Sequence, residues 1–149
     1  MGTLDHSPAE ICKHAIVDMG HGVDPSASAT TAWMTYSDGF PDKGNDSMIV
    51  VQSADGRDHG REHVANQRVE SHGIRVFIRA AAYTTGYVKA NAIGQSMDSF
   101  LGRTINIGGT RYVVNNFIRT SDVMFIGRDL PSSKRFMFSI NAQVNLVKL

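Results

Sequence analysis

From Arg135 to Leu146 the chain alternates: Phe136, Phe138, Ile140, Ala142, Val144 and Leu146 fall on one side of an extended backbone, and Arg135, Ser139, Asn141, Gln143 and Asn145 on the other. Successive side chains of a strand point to opposite faces, so this run specifies a strand with one apolar face and one polar face. Twelve residues are many for a strand of a small sheet, where about 5 or 6 is usual. A second run has the same period. Ile74, Val76, Ile78 and Ala80 alternate with Arg75, Phe77 and Arg79, so aliphatic residues meet a core while the arginine-bearing face must reach water or a partner.

Other strands and turns follow from local chemistry. Gly108 and Gly109 stand between Ile105, Ile107 and Tyr112, Val114, a glycine pair between two β runs and hence a hairpin. Met48 to Val51 is a short apolar run rich in β-branched residues and reads as a buried strand. Asp38 to Ser47 is dense in Gly, Pro, Asn and Asp and reads as turn, as does Gly127 to Ser133. The polar, Gly-, Arg- and His-rich segment from 53 to 73 reads as one long loop, and loops of that length in a compact domain are functional or mobile.

Two helices are predicted. Ser7 can cap, Pro8 suits the first helical position and Glu10 faces the positive end of the helix dipole, after which Ile11, Cys12, Ala15, Ile16 and Met19 recur at helical spacing until Gly20 and Gly22. Thr85 can cap the second, with Tyr87, Ala90, Ile93 or Gly94, Met97 and Leu101 forming one stripe down to Gly102. Val23 to Thr31 is small and polar and reads as a connection. The expected fold is α+β, a mainly antiparallel sheet flanked by two helices, in a single domain spanning residues 1–149.

Composition narrows the function classes. At 42% hydrophobic and 19% charged the chain has the balance of a soluble globular protein. No apolar stretch approaches the roughly 20 residues of a membrane-spanning helix and Met1 to Pro8 lacks a secretory layout, so the chain is expected to remain in the cytoplasm where it is made. With one cysteine, Cys12, neither an internal disulfide nor a thiolate metal cluster can be built. Net charge is +1, but residues 1–60 carry three Lys or Arg against nine Asp or Glu, and residues 61–149 carry twelve against five. Folding either mixes these charges over one surface or leaves an acidic and a basic face able to meet head to tail.

No reaction is nominated. His59 and His63 have helical ligand spacing, but the intervening Gly60 and the neighbouring arginines disfavour both a helix and a cation, so no metal site is expected. No Gly-x-Ser-x-Gly elbow accompanies a serine, and the glycines at 102–109 and 127 lack the Gly-Lys-Ser/Thr of a phosphate loop. No catalytic residue and no cofactor are expected. Arg57, Arg61, Arg68, Arg75 and Arg79, with His72 and Phe77 among them, are suited either to nucleic-acid phosphates or to carboxylates on a neighbouring subunit, since a guanidinium binds two oxygens at once.

The stretch from Val69 to Leu101, reading V-E-S-H-G-I-R-V-F-I-R-A-A-A-Y-T-T-G-Y-V-K-A-N-A-I-G-Q-S-M-D-S-F-L, resembles tail terminator proteins, also called minor capsid or neck proteins, of tailed bacteriophages. There an E-x-H-G-x-R-V-x-I-R strand runs into Y-x-x-G-Y-x-K-A and a helix ending near an aspartate. The likeness extends over the first helix, the Met48 to Val51 strand, the Ile107-Gly108-Gly109 hairpin, Ile118 to Ser121, Gly127-Arg128-Asp129 and the opening of the last strand. It implies a virion subunit at the tail–neck junction that closes as a homo-oligomeric, hexameric ring, stops the tail tube and joins it to the head. The implied partners are a tail tube protein and a head-completion or neck connector protein, with no membrane and with DNA only passing through the lumen. Arg75 and Arg79 would then make subunit or partner contacts, and Arg57, Arg61, Arg68 and His72 would face the lumen or an adjacent ring. Competing readings are another neck component, a small nucleic-acid-binding module, and arginines that only discourage stray strand pairing.

Overall fold

A computed structural model of the chain describes residues 4–25, 33–41, 46–54, 62–64, 67–128 and 135–149. The elements in order are α1 (Pro8–Asp18), β1 (Met34–Ser37), β2 (Met48–Ala54), β3 (Glu62–Val64), β4 (Gln67–Ala80), α2 (Tyr83–Asp98), β5 (Arg103–Ile107), β6 (Thr110–Arg119), β7 (Met124–Arg128) and β8 (Phe136–Lys148). The long alternating run, β8, is the middle of the sheet. It pairs antiparallel with β4 from Val69 opposite Val147 to Ala80 opposite Phe136, while β6 and β7 share its other edge.

The strand order is β1-β2-β4-β8-β6-β5, with β3 beside β4 and β7 beside β8. The sheet is mixed, which corrects the mainly antiparallel expectation at one edge: β1 runs parallel to β2, with Met34 opposite Met48 and Ser37 opposite Val51. The connection from Asp38 to Ser47 is long enough to carry the chain back to the starting end of the next strand, which a two-residue hairpin turn is not. Trp33 and Asp38, bracketing β1, both hold positive φ (67° and 64°). Gly108 and Gly109 do so at the β5–β6 turn, where both signs are those of the favoured hairpin geometry.

Both helices lie on one face of the sheet. α1 packs on β1 and β2 and also on β5, at the far end of the strand order, so the sheet curls around it; α2 packs on β4, β6 and β8. Arg103 of β5 closes that curl, its Nη1 donating to the Asp18 carbonyl at 3.1 Å and carboxylate at 2.8 Å. The fully buried Tyr112 of β6 holds the N-terminal segment: its hydroxyl accepts from Asp5 N–H at 3.2 Å and lies 2.7 Å from His6 Nδ1.

The core fills the concave side. Ile49 and Val51 of β2, Ile74, Val76 and Ile78 of β4 and Phe138, Ile140, Val144 and Leu146 of β8 meet Ile11, Cys12, Ala15 and Ile16 of α1 and Ala90, Ile93 and Met97 of α2. Each large aliphatic side chain buried here stabilises the fold by about 1.5–3 kcal/mol before its entropy cost. Cys12 is one of these packing residues, and burial pushes its thiol far above the usual range.

The first helix begins as predicted: Ser7 Oγ accepts from Glu10 N–H, and Pro8 is the first helical residue. The second starts earlier than predicted. Its N-cap is Ala82, with no side-chain cap, and Thr85 lies inside the first turn. The buried stripe is Gly86, Ala90, Ile93, Gly94 and Met97, while Tyr87 and Leu101, assigned to it from spacing, are exposed. Two glycines let the helix lie close on the sheet, and the turn ends at Ser99 before Leu101 is reached.

The segment 53–73 is not one loop. β2 continues to Ala54, β3 covers Glu62–Val64 and pairs with β4 through His63 opposite Arg68, and β4 begins at Gln67. Main-chain ladder bonds do not require apolar side chains, so a polar composition concealed strands. Residues 55–61 and 65–66 lie outside the described residues, as do 129–134 in the turn predicted at 127–133, and 26–32.

Candidate interaction surface

The convex face of the sheet, away from the helices, is polar along its middle. Ser71 of β4, Asn145 of β8 and Asn116 of β6 form one cross-strand row joined by hydrogen bonds, with Asn145 Nδ2 donating to Asn116 Oδ1 at 2.7 Å. Four residues along, Arg75 Nε donates to Asn141 Oδ1 at 2.9 Å and its guanidinium lies 5.9 Å from the centre of the Phe77 ring. Arg75 is exposed and held by both contacts, so one edge of its fork is fixed while the rest faces outward. Amides that donate and accept, beside an oriented guanidinium, make a surface suited to a polar protein partner.

The same face is covered at one end by the chain itself. Met34, Met48 and Val50 are buried there, and Phe40 packs on Phe77 with ring centres 5.6 Å apart. Arg79 stands in this region between Met48 and Met137 and is only 6% exposed. The expectation that Arg75 and Arg79 share an open face is thereby corrected: alternation puts them on one side, and local covering leaves only Arg75 accessible.

His72 is on the other face. Its Nε2 lies 3.3 Å from a carboxylate oxygen of Glu70, itself buried on the concave side. The arginine cluster therefore divides: His72 is separated from Arg75, Arg68 stands in β4 at the arm paired with β3, and Arg57 and Arg61 lie outside the described residues. His63 is in a strand, so the helical spacing read between His59 and His63 does not apply. Among the described residues no three His, Cys, Asp or Glu side chains gather as metal ligands, and no helix is long and apolar enough to cross a membrane.

An apolar edge lies at β7, where no alternation in the sequence marks a strand. Every residue of β7 except Gly127 is exposed, including Met124 (42%), Phe125 (46%) and Ile126 (46%). Phe125 lies 5.2 Å from the exposed Tyr83 ring of α2 and 5.5 Å from buried Phe138. The signal was present as four apolar residues in a row, Val123 to Ile126, ahead of Gly127.

A polar clamp joins α2 to the segment after α1 and to the residue before β1. His21 Nε2 lies 2.6 Å from Ser96 Oγ, and Lys89 Nζ sits 5.1 Å from the centre of the Trp33 ring. Burial lowers the pKa of His21, with nearby Lys89 adding to the effect, and burial also lowers that of Lys89.

No family model matches the chain, and no curated protein matches it. Among solved structures, the virion of a native gene transfer agent particle is similar, with a TM-score of 0.44 and 11% identity over 77% of this chain and 78% of that one. That likeness is too loose to carry a function from one chain to the other.

Proposed function

We propose that this chain is a structural subunit of a phage-like virion, and specifically a tail terminator ring subunit that caps the tail tube and joins the tail to the head–neck connector. The observation that carries this reading is the order of the Glu70-x-His72-Gly73-x-Arg75-Val76-x-Ile78-Arg79 strand and the Tyr83-x-x-Gly86-Tyr87-x-Lys89-Ala90 helix, matched to a sheet with unfilled surfaces. Those surfaces are the polar convex row around Arg75 and the apolar β7 edge. Exposed apolar patches rimmed by polar groups mark places where other chains sit. The chain acts by being covered and performs no reaction.

In this role Arg75 offers its fork to a carboxylate on a neighbouring ring or on a second subunit. Light scattering on the eluting species, with and without tail tube protein, tests the reading. Six copies of the 16.3 kDa chain give a particle of about 98 kDa. A purified chain that neither closes into a ring nor enters particles when supplied with tube and connector proteins refutes it.

A further inference from the structure

Five aromatic rings gather where the start of α2 meets β7 and the opening of β8. Tyr83 lies 5.2, 5.9 and 5.1 Å from Phe125, Phe136 and Phe138, and Tyr87, one helical turn on, lies 6.3 Å from Phe138. Phe138 is fully buried at the centre, while Tyr83 (46%), Tyr87 (45%), Phe125 (46%) and Ile126 (46%) remain half exposed. Side chains one turn apart share a helix face, and Phe125 stands opposite Phe138 on the helix side of the sheet, so the exposed rings form one patch.

The main-chain edge of β7 is poorly built for strand addition. It is five residues long, its ladder with β8 skips Ile126, and Gly127 holds φ at 118°. A short, bulged edge ending in a charge resists further pairing, so what this corner offers a partner is its side chains.

Their polar groups share one sign. The Arg128 guanidinium stacks on Phe136, 4.9 Å from the ring centre, and is exposed with no carboxylate partner among the described residues. The hydroxyls of Tyr83 and Tyr87 make no hydrogen bond among the described residues and are free to donate. α2 starts without a side-chain cap and without an acidic residue in its first turn, so its unpaired N–H groups and positive dipole end face the same region. β7 and β8 contain no Asp or Glu, and the one in α2, Asp98, is at the far end and engaged with Arg119.

We infer that this corner docks a segment of a partner protein in which an apolar side chain is flanked by carboxylates. The apolar group seats against Tyr83, Tyr87 and Phe125, and a carboxylate takes the fork of Arg128. Aromatic rings and an arginine at the centre of a patch are the usual anchors of an interface, and a guanidinium holds a carboxylate by two parallel hydrogen bonds. A second copy docking patch to patch would enclose two Arg128 guanidiniums with no acid among the described residues to offset them. The inference rests on the reading that another chain covers the β7 surface, and supplies the chemistry of that chain.

NMR on the isotope-labelled full chain tests it, with the blocked peptide acetyl-Gly-Asp-Phe-Asp-Leu-Asp-Gly-amide as probe. Amide signals from 83–88 and 124–128 should shift together and saturate, while the same peptide with lysine at each aspartate should leave them in place. Arg128→Glu should weaken the acidic peptide by about tenfold and let the lysine peptide bind, an exchange of preference that lost packing cannot produce.

Equal binding of the two peptides, no shift at any peptide concentration, or shifts confined to other surfaces would overturn the inference. So would movement of the same signals with protein concentration alone, which would make a second copy the occupant. A chain that ignores the peptide yet enters particles sinks the acidic-partner assignment and leaves the virion reading standing; one that binds the peptide and enters no particles does the reverse.

Discussion

Replacing Gly86 with alanine isolates how closely α2 lies on the sheet. A Cβ there would sit 2.7 and 3.0 Å from Cε2 and Cδ2 of Phe138 and 3.2 Å from Cβ of Ala80. The Phe138 ring is fully buried, with Tyr83, Phe125 and Tyr87 around it at centroid distances of 5.1, 5.5 and 6.3 Å, so it has little room to turn away. Overpacking of this kind costs about 1–3 kcal/mol, while the better helix propensity of alanine returns at most about 1 kcal/mol. Gly86→Ala should therefore lose about 1 kcal/mol net, a fall of about 2–4 °C in Tm for a domain of this length. Urea titration followed by circular dichroism measures it. In a Phe138→Leu background the ring is gone, and the same substitution should become neutral or stabilising, a coupling of about 1–2 kcal/mol in the double-mutant cycle. A Gly86→Ala chain more stable than wild type, or an equal effect in both backgrounds, would refute the close approach.

Further outcomes follow from the same geometry. Arg75→Glu should leave stability within about 0.5 kcal/mol, since Arg75 is exposed, whereas Arg79→Glu should cost about 3 kcal/mol or more by reversing a buried charge; thermal melts of the two variants separate a surface role from a structural one. Asp98→Ala removes both carboxylate oxygens that Arg119 binds at 2.9 and 2.7 Å and should cost about 1–2 kcal/mol, read from the urea midpoint, because Arg119 ties β6 to the end of α2. His14 and His21 are both lowered from the ordinary value of 6.5, chiefly by burial. The folded state thus holds fewer protons than the unfolded one just below that pH, and the stability they contribute, complete above it, is lost as pH falls toward their folded values. Comparing urea midpoints at pH 7.5 and 5.5 should show the drop, and His14→Gln/His21→Gln should flatten it.

The strands that alternate strictly were legible. β8 and the part of β4 from Ile74 onward each bury one face against a helix layer, and that asymmetry is written as a period of two. The hairpin at Gly108 and the start of α1 were legible because a glycine pair with positive φ and a serine–proline cap are local requirements. β1, β3 and β7 were not. Their identity comes from a neighbour's ladder: β7 has almost no buried residue of its own, and β3 is three polar-flanked residues held by β4. The candidate surface was half legible for the same reason. Alternation placed Arg75 and Arg79 on one face, but only the tertiary arrangement of Met34, Met48, Val50 and Phe40 decides that one is open and the other covered. His72 fell among the arginines in sequence and opposite to them in space, because adjacent parity in a strand is a difference of face.

β8 follows β4, β6 and β7 in the chain, yet it is the strand against which all three align. An emerging chain that has not reached Phe136 has the β1-β2-β4 and β5-β6 ladders with no β8 seam between them, and that joining of distant parts of the sequence forms late. Among the described residues β7 pairs with β8 alone, so its ladder forms at that same step.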